Sequence, residues 1–288
     1  MIPSPFDYVR VSSVDEAVAA LAEHGEDAKI LAGGHSLLPI MKLRLAIPSV
    51  LIDISGIADL NYVRVDGDQV AIGAGTRHHD LENSDVAKAE VPLLPHVASR
   101  VGDPQVRHRG TLGGTVAHCD PASDLPTALL ALGADVVLAG PNGRRTVPIT
   151  EFFLGFFETA MEEGELIVEL RVPRTGDAGW AYEKFTRREN DWPIVSAAVA
   201  HLPGGGVGVA LANMGGVVLK ATAVEAALAE GKSIEEAAAL AAEGTSPSSD
   251  MHADAEYRSH LARLLTRRAL AVAAGEAEAS TAESTAAA

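Results

Sequence analysis

Apolar and polar positions follow several distinct periods along the chain. Val14, Val18 and Leu21 share one helical face. Ser13 stands just before them, Glu16 follows Ser13 at capping-box spacing, and Gly25 supplies a stop. The run 29–32 is short and apolar and ends in Gly33-Gly34, which predicts a buried strand entering a tight turn. An apolar-rich helix is expected over 35–44 and another strand over 50–54. The period then falls to two. Val63 and Val65 alternate with polar residues, Asp66-Gly67 signals a turn, and Val70 and Ile72 resume the pattern, so a hairpin is predicted. Residues 80–100 should be helical in parts, broken by Pro92 and Pro95, and a second strand-and-glycine turn is expected at 111–115. A hairpin around Pro141-Asn142-Gly143 should pair 135–139 with 145–149. The stretch 165–172 alternates so as to put Leu166, Val168, Leu170 and Val172 on one face.

The segment 173–179, with Pro, Gly, Thr and Asp and no apolar pattern, reads as a linker. Three strand-like runs follow (180–186, 193–202 and 206–213), then helices at 221–230, 234–243 behind the capping box Ser233/Glu236, and 256–274. Strands followed by helices mark a small α+β unit. Residues 276–288 carry no large apolar side chain and are expected to be a disordered tail; no fixed-period repeat is present.

Composition narrows the chemistry. A chain of 288 residues is long enough for about two domains. A net charge of −16 argues against nucleic acid or an anionic lipid surface as partner. The single cysteine, Cys119, cannot close an internal disulfide or by itself hold an iron–sulfur cluster or structural zinc, so redox chemistry would need an organic cofactor or a partner's metal. With only His118 as a basic neighbour, Cys119 reads as an inert small residue. His78-His79 and His108 read as loop or surface residues. The N-terminal residues lack a basic region and an apolar core, and the longest apolar stretch, 125–139, is interrupted by Gly133 and Asp135, so no membrane span is expected and the cytoplasm is the expected location.

Two segments offer a cradle for a diphosphate: Ala32-Gly33-Gly34-His35-Ser36 and Thr111-Leu112-Gly113-Gly114-Thr115. Paired glycines let successive N–H groups point into one concavity, and Ser36 and Thr115 add hydroxyls. A helix beginning after the first turn would add its positive end. Two ordinary tight turns would give the same pattern, and neither segment matches the dinucleotide fingerprint or the P-loop. Asp124, in a loop rich in acids and prolines, could accept from a ribityl or ribose hydroxyl; Asp120 and Ser123 could equally cap a helix starting near Leu125.

Four stretches in order, AGGHSLLPIMKLR from Ala32, RHRGTLGGTVAHCDPASDLP from Arg107, GWAYEKFTRRENDWP from Gly179 and YRSHLARLLTRRAL from Tyr257, resemble the medium, FAD-binding subunit of the molybdenum hydroxylases. Within that family the carbon monoxide dehydrogenase type is nearest in pattern. The resemblance implies an α+β fold: a two-lobed FAD-binding domain of the vanillyl-alcohol-oxidase-like (PCMH) type over 1–175, then a small antiparallel sheet flanked by helices over 179–275. It implies that Ala32, Gly33, Gly34, His35, Ser36 and Leu37 wrap the FAD diphosphate. Thr111, Leu112, Gly113, Gly114 and Thr115 would form the second flavin-binding turn, with Asp124 reaching the ribityl or diphosphate region. Leu166 or Ile167 would touch the adenosine end, Lys184 would contact the flavin, and Trp192 would lie beside its ring. Thr115 replaces the Asn or Ser common in relatives and keeps a hydroxyl.

The resemblance further implies a flavoprotein subunit of an oxidoreductase, with no catalytic residue and no metal of its own. It would pass electrons from [2Fe–2S] clusters on a small partner chain to an external acceptor such as a quinone. A large partner chain with molybdenum–cytosine dinucleotide would oxidise the substrate, in a dimer of heterotrimers at most peripheral to the inner membrane face. Carbon monoxide is the implied substrate. An aldehyde, purine or N-heterocycle hydroxylase shares this subunit plan. The residues leave room for a stand-alone flavin oxidoreductase as well, and for a flavin-free assembly protein.

Overall fold

A computed structural model of the chain describes residues 2–276; the expected tail lies almost wholly outside them. The first lobe is a parallel sheet of β1 (Asp7–Arg10), β2 (Ala28–Leu31) and β3 (Val50–Asp53), ordered β1-β3-β2. Helix α1 (Val14–His24) covers it through Ala17, Ala20 and Leu21. The Ser13 hydroxyl accepts from the Glu16 N–H, as the spacing predicts, but the Glu16 carboxylate reaches back to the N–H of Ser12 instead of Ser13. Helix α2 (Leu37–Lys42) is shorter than the apolar run suggested, because the turn 33–36 precedes it.

The second lobe is an antiparallel sheet, β4-β5-β10-β6-β7, built from β4 (Val63–Asp66), β5 (Gln69–Gly73), β6 (Asp135–Gly140), β7 (Gly143–Pro148) and β10 (Leu166–Pro173). Both predicted hairpins are present. The expected single face of β10 is not. A bulge between Ile167 and Glu169 shifts its register against β6, and one extra residue reverses side-chain parity. Leu166 and Val168 therefore join the core of the first lobe, while Ile167, Leu170 and Val172 join the main core. The bulged strand thus belongs to two cores and fastens the lobes together.

Between β5 and β6 run six helices: α3 (His78–Asn83), α4 (Asp85–Glu90), α5 (Leu93–Ser99), α6 (Pro104–Arg107), α7 (Leu112–His118) and α8 (Asp124–Leu132). Pro92 precedes α5, but Pro95 does not break it, since in the first turn its missing N–H has no intrahelical acceptor to lose. A short helix α9 (Ile149–Phe152) and a small ribbon, β8 (Phe153–Gly155) with β9 (Glu158–Thr159), follow β7.

The predicted linker is anchored. The N–H groups of Thr175 and Gly176 both donate to the Glu90 carbonyl, and Arg174 pairs with the Glu90 carboxylate at 2.6 Å. Beyond it β11 (Trp180–Phe185), β12 (Val195–His201), β13 (Val207–Ala212) and the unanticipated β14 (Leu219–Lys220) form an antiparallel sheet in sequential order. On one face lie α10 (Thr222–Ala229), α11 (Ile234–Ala238) and α12 (Ala255–Ala273), packed on Val195, Ala197, Val199, Val209 and Leu211. The Ser233/Glu236 capping box forms as predicted.

The other face carries Ala198, Ala200, Ala210 and Ala212 and is covered by α8, which belongs to the first part of the chain and is buried at all 9 of its residues. The small side chains let helix and sheet approach closely: a Cβ at Gly208 would run into the Ala131 carbonyl. The main core therefore passes through both sides of the segment 173–179 without a break.

Candidate functional site

A cavity of about 770 Å³ lies between the two lobes and reaches the loop that joins β11 to β12, within the range of sites for large organic ligands. Its wall includes Ala32, Gly33, Gly34, His35, Ser36 and Leu37 from the first glycine segment. Thr111, Gly113, Gly114 and Thr115 come from the second, together with Asp124, Leu166, Ile167 and Trp192. Residues from widely separated parts of the sequence thus share one concavity. Leu112 does not line it; its side chain is fully buried in the main core. Lys184 stands behind Asp124, outside the wall.

The two glycine segments differ in kind. After β2 the chain turns through Gly34, at φ +78°, and none of the five N–H groups from Gly33 to Leu37 finds a protein acceptor among the described residues. Such a run of unpaired donors against a cavity is an anion-binding nest. Gly33 also has a packing reason to be glycine: a Cβ there would strike the Arg109 carbonyl, so this loop presses directly on the turn leading to the second segment.

The second segment is not a strand and turn, as the sequence suggested, but the start of α7. Thr111 caps it, accepting from the Gly114 N–H at 3.1 Å; the Leu112 and Gly113 N–H groups donate to the carbonyls of Thr76 and Ala74. Its donors are spent inside the protein, and Gly113 is small because the helix is pressed against Ala74. This segment offers shape and the Thr115 hydroxyl, while the first offers charge complementarity.

Asp124 opens α8 as a buried carboxylate with both oxygens engaged. Tyr182 donates to Oδ1 at 2.5 Å and Lys184 to Oδ2 at 2.9 Å; Lys184 also donates to the Arg100 carbonyl at 3.1 Å. Burial pushes the Asp124 carboxyl up, and the Lys184 ammonium opposes it. Burial likewise raises the Tyr182 hydroxyl well above its ordinary range. Tyr182 was not anticipated as a site residue. The available signal was strand alternation: Tyr182 and Lys184, two apart on β11, face the same way. The neighbouring expectation of plain helix caps is not met: Asp120 accepts from the Ala122 N–H in the turn ahead of α8, and the Ser123 side chain, at the cap position, makes no cap bond.

The remaining wall is held by long-range polar contacts. Glu165 takes a two-pronged bond from Arg145, both at 2.7 Å, and accepts from the Glu162 N–H, fixing the turn ahead of Leu166 and Ile167. Trp192 stands at the rim with its side chain 60% exposed. The segment just after it is fastened twice: the Asn213 side chain donates to the Pro193 carbonyl, and the buried Arg258 of α12 donates to the Ile194 carbonyl at 2.5 Å and to Asp250 at 2.6 Å.

Cys119 is buried within 3.5 Å of the carbonyls of Gly155 and Glu158, and burial lifts its thiol to about 11, the profile of an unreactive side chain. His79 and His108 sit at or near the surface with rings 4.0 Å apart, but His78, expected in a loop or at the surface, is buried in the cavity wall at the start of α3. Among the described residues no group of three or more His, Cys, Asp or Glu could hold a metal, and no helix is long and apolar enough to cross a membrane.

A cavity of this size between two α+β lobes, with a run of unpaired backbone amides along one wall and an aromatic side chain at the rim, defines a protein built to bind a large anionic organic ligand. Known proteins agree. Residues 4–175 match the family described as the FAD-binding domain in molybdopterin dehydrogenase, and residues 180–273 match the CO dehydrogenase flavoprotein C-terminal domain. The chain is 44% identical to the carbon monoxide dehydrogenase medium chain of Hydrogenophaga pseudoflava over 279 residues, covering 94% of this chain and 97% of that one. A carbon monoxide dehydrogenase structure from Hydrogenophaga pseudoflava superposes with a TM-score of 0.92 at 46% identity, covering 96% of this chain and 99% of that chain. Quinoline 2-oxidoreductase from Pseudomonas putida gives 0.88 at 33% identity, covering 96% and 99%. The chain belongs to the medium-chain, FAD-binding subunits of the carbon-monoxide-dehydrogenase-type molybdenum hydroxylases. It is a flavoprotein subunit of an oxidoreductase.

Proposed function

We propose that this chain is the electron-outlet subunit of a complex that oxidises carbon monoxide. The likeness that supports this substrate is the 44% identity, over nearly the whole of both chains, to a carbon monoxide dehydrogenase medium chain. In this reading the amide arc Gly33–Leu37 holds the FAD diphosphate, because it is the run of the wall whose donors are free. Leu166 and Ile167 border the adenosine end, on the turn that Arg145 and Glu165 fix. Trp192 covers the ring, and Asp124, oriented by Tyr182 and Lys184, meets the ribityl chain. Bound there, FAD supplies the ability to take up and release electrons singly or in pairs. In this reading the chain's own residues bind and orient it, and substrate activation takes place on another chain.

That task falls to a large chain carrying molybdenum–cytosine dinucleotide, and delivery to a small chain with [2Fe–2S] clusters. The three chains form a dimer of heterotrimers on the cytoplasmic side, peripheral to the membrane, where a quinone accepts the electrons. The test is to purify the chain with whatever chains accompany it and add candidate substrates without oxygen. Carbon monoxide should bleach the flavin absorbance of the complex and leave the isolated chain unchanged. Bleaching by quinoline or an aldehyde but not by carbon monoxide would overturn the substrate; bleaching of the isolated chain would overturn the subunit role.

A further inference from the structure

His78 is the one histidine sealed into the cavity wall among the described residues, at 5% exposure. It is built in rather than left over. Its N–H donates to the Gly110 carbonyl at 3.0 Å, and a Cβ on Gly110 would come within 2.8 Å of the ring atoms Cδ2 and Nε2. Gly110 in turn lies against Gly33, so the ring sits beside the loop that carries the free amides. Burial, helped by the nearby His35 and Arg107, lowers its pKa to about 4, so the ring is neutral at physiological pH. A neutral imidazole has one N–H and one lone pair. Nδ1 is sealed from solvent with no partner, whereas Nε2, also unpartnered, is not sealed. An orphaned N–H is the rarer and costlier defect, so the lone pair belongs on Nδ1 and the proton on Nε2.

We propose that His78 is a cofactor-binding residue: its Nε2–H, held between the Gly33 loop and Gly110, donates a hydrogen bond to a diphosphate oxygen of the bound flavin dinucleotide. The inference rests on the amide arc holding that diphosphate. A neutral donor adds direction to the nest without adding charge, and it distinguishes a diphosphate from the bare apolar wall an adenine would need.

The test uses the full chain in the complex it purifies with, its flavin stripped and then titrated with FAD, with ³¹P NMR of the bound cofactor. H78F should weaken FAD binding about tenfold or more, as expected for a lost bond to a charged group, and should move the diphosphate resonances. H78Q, whose amide nitrogen reaches the place of Nε2, should restore both. H78N, which reaches only as far as Nδ1, should restore neither. Melting of the flavin-free variants separates folding from binding, and should H78F fail to fold, the Gln and Asn pair carries the comparison. Wild-type affinity and unshifted resonances in H78F, or rescue by Asn instead of Gln, would overturn the assignment. Failure of the wild-type complex itself to take up FAD would overturn the diphosphate reading beneath it.

Discussion

Replacing Lys184 by Met tests the buried pair behind the cavity. The side chains of Lys184 and Asp124 are 4% and 8% exposed and meet at 2.9 Å. At an effective dielectric of about 20, charges at that distance attract by about 6 kcal/mol. Removing one partner leaves the other charge stranded, at a net cost of about 3–5 kcal/mol. For a chain of this length that is a fall of about 10 °C in Tm. In K184M, burial of Asp124 is no longer opposed by the ammonium, so its folded pKa stands further above the unfolded value. The folded state then holds the extra proton across that window, and stability falls as pH rises through the folded pKa. The deficit should therefore be larger at pH 8 than at pH 5. Adding Asp124→Asn removes the stranded charge while leaving an acceptor for Tyr182, so the double variant should be more stable at pH 8 than K184M alone. Chemical denaturation of the four proteins at both pH values measures the cycle. A K184M protein within about 1 kcal/mol of wild type, or a double variant whose loss equals the two single losses added, would refute the reasoning.

Gly33→Ala should lower both flavin content and Tm, since its Cβ meets the Arg109 backbone, which cannot turn aside. Gly34→Ala, strained by its φ of +78° yet facing the Leu38 side chain at 3.0 Å, should cost about 1–2 kcal/mol and retain more flavin. Flavin-to-protein absorbance ratios rank the two. Cys119, lifted to about 11 from an ordinary 9, should react with iodoacetamide at pH 8 about a hundredfold more slowly than a free thiol. Mass spectrometry follows the adduct, and modification at the free-thiol rate would contradict the burial.

Local rules made much of the architecture legible. The helix after Ser13, both hairpins of the second lobe and the three long strands of the third sheet all follow from period, turn residues and caps, which act within a few positions of sequence. The misses share one cause, long-range packing. The parity of β10 turns on a bulge against β6. The Thr111 segment reads as a turn because its glycines suggest one, yet Ala74 and Thr76 supply acceptors that make it a helix start. At the site, the residue types and their order singled out the first glycine segment and Asp124, and the family resemblance added Trp192; all of these line the cavity. The burial of His78 and the closing of Asp124 by Tyr182 could not be read, because each depends on which distant element arrives beside it. The roles of Arg258 and Asn213 carry no local signature at all.

Arg258 bears on the order in which the molecule is made. The rim segment beside Trp192 is fastened to a side chain of the last described helix of the chain. A nascent chain emerging from the ribosome therefore presents both lobes and the amide arc long before the rim has its anchor. Retention of a ligand in the cleft is thereby tied to the docking of α12, the same helix whose Leu261, Leu265 and Leu270 cover the apolar face of the third sheet.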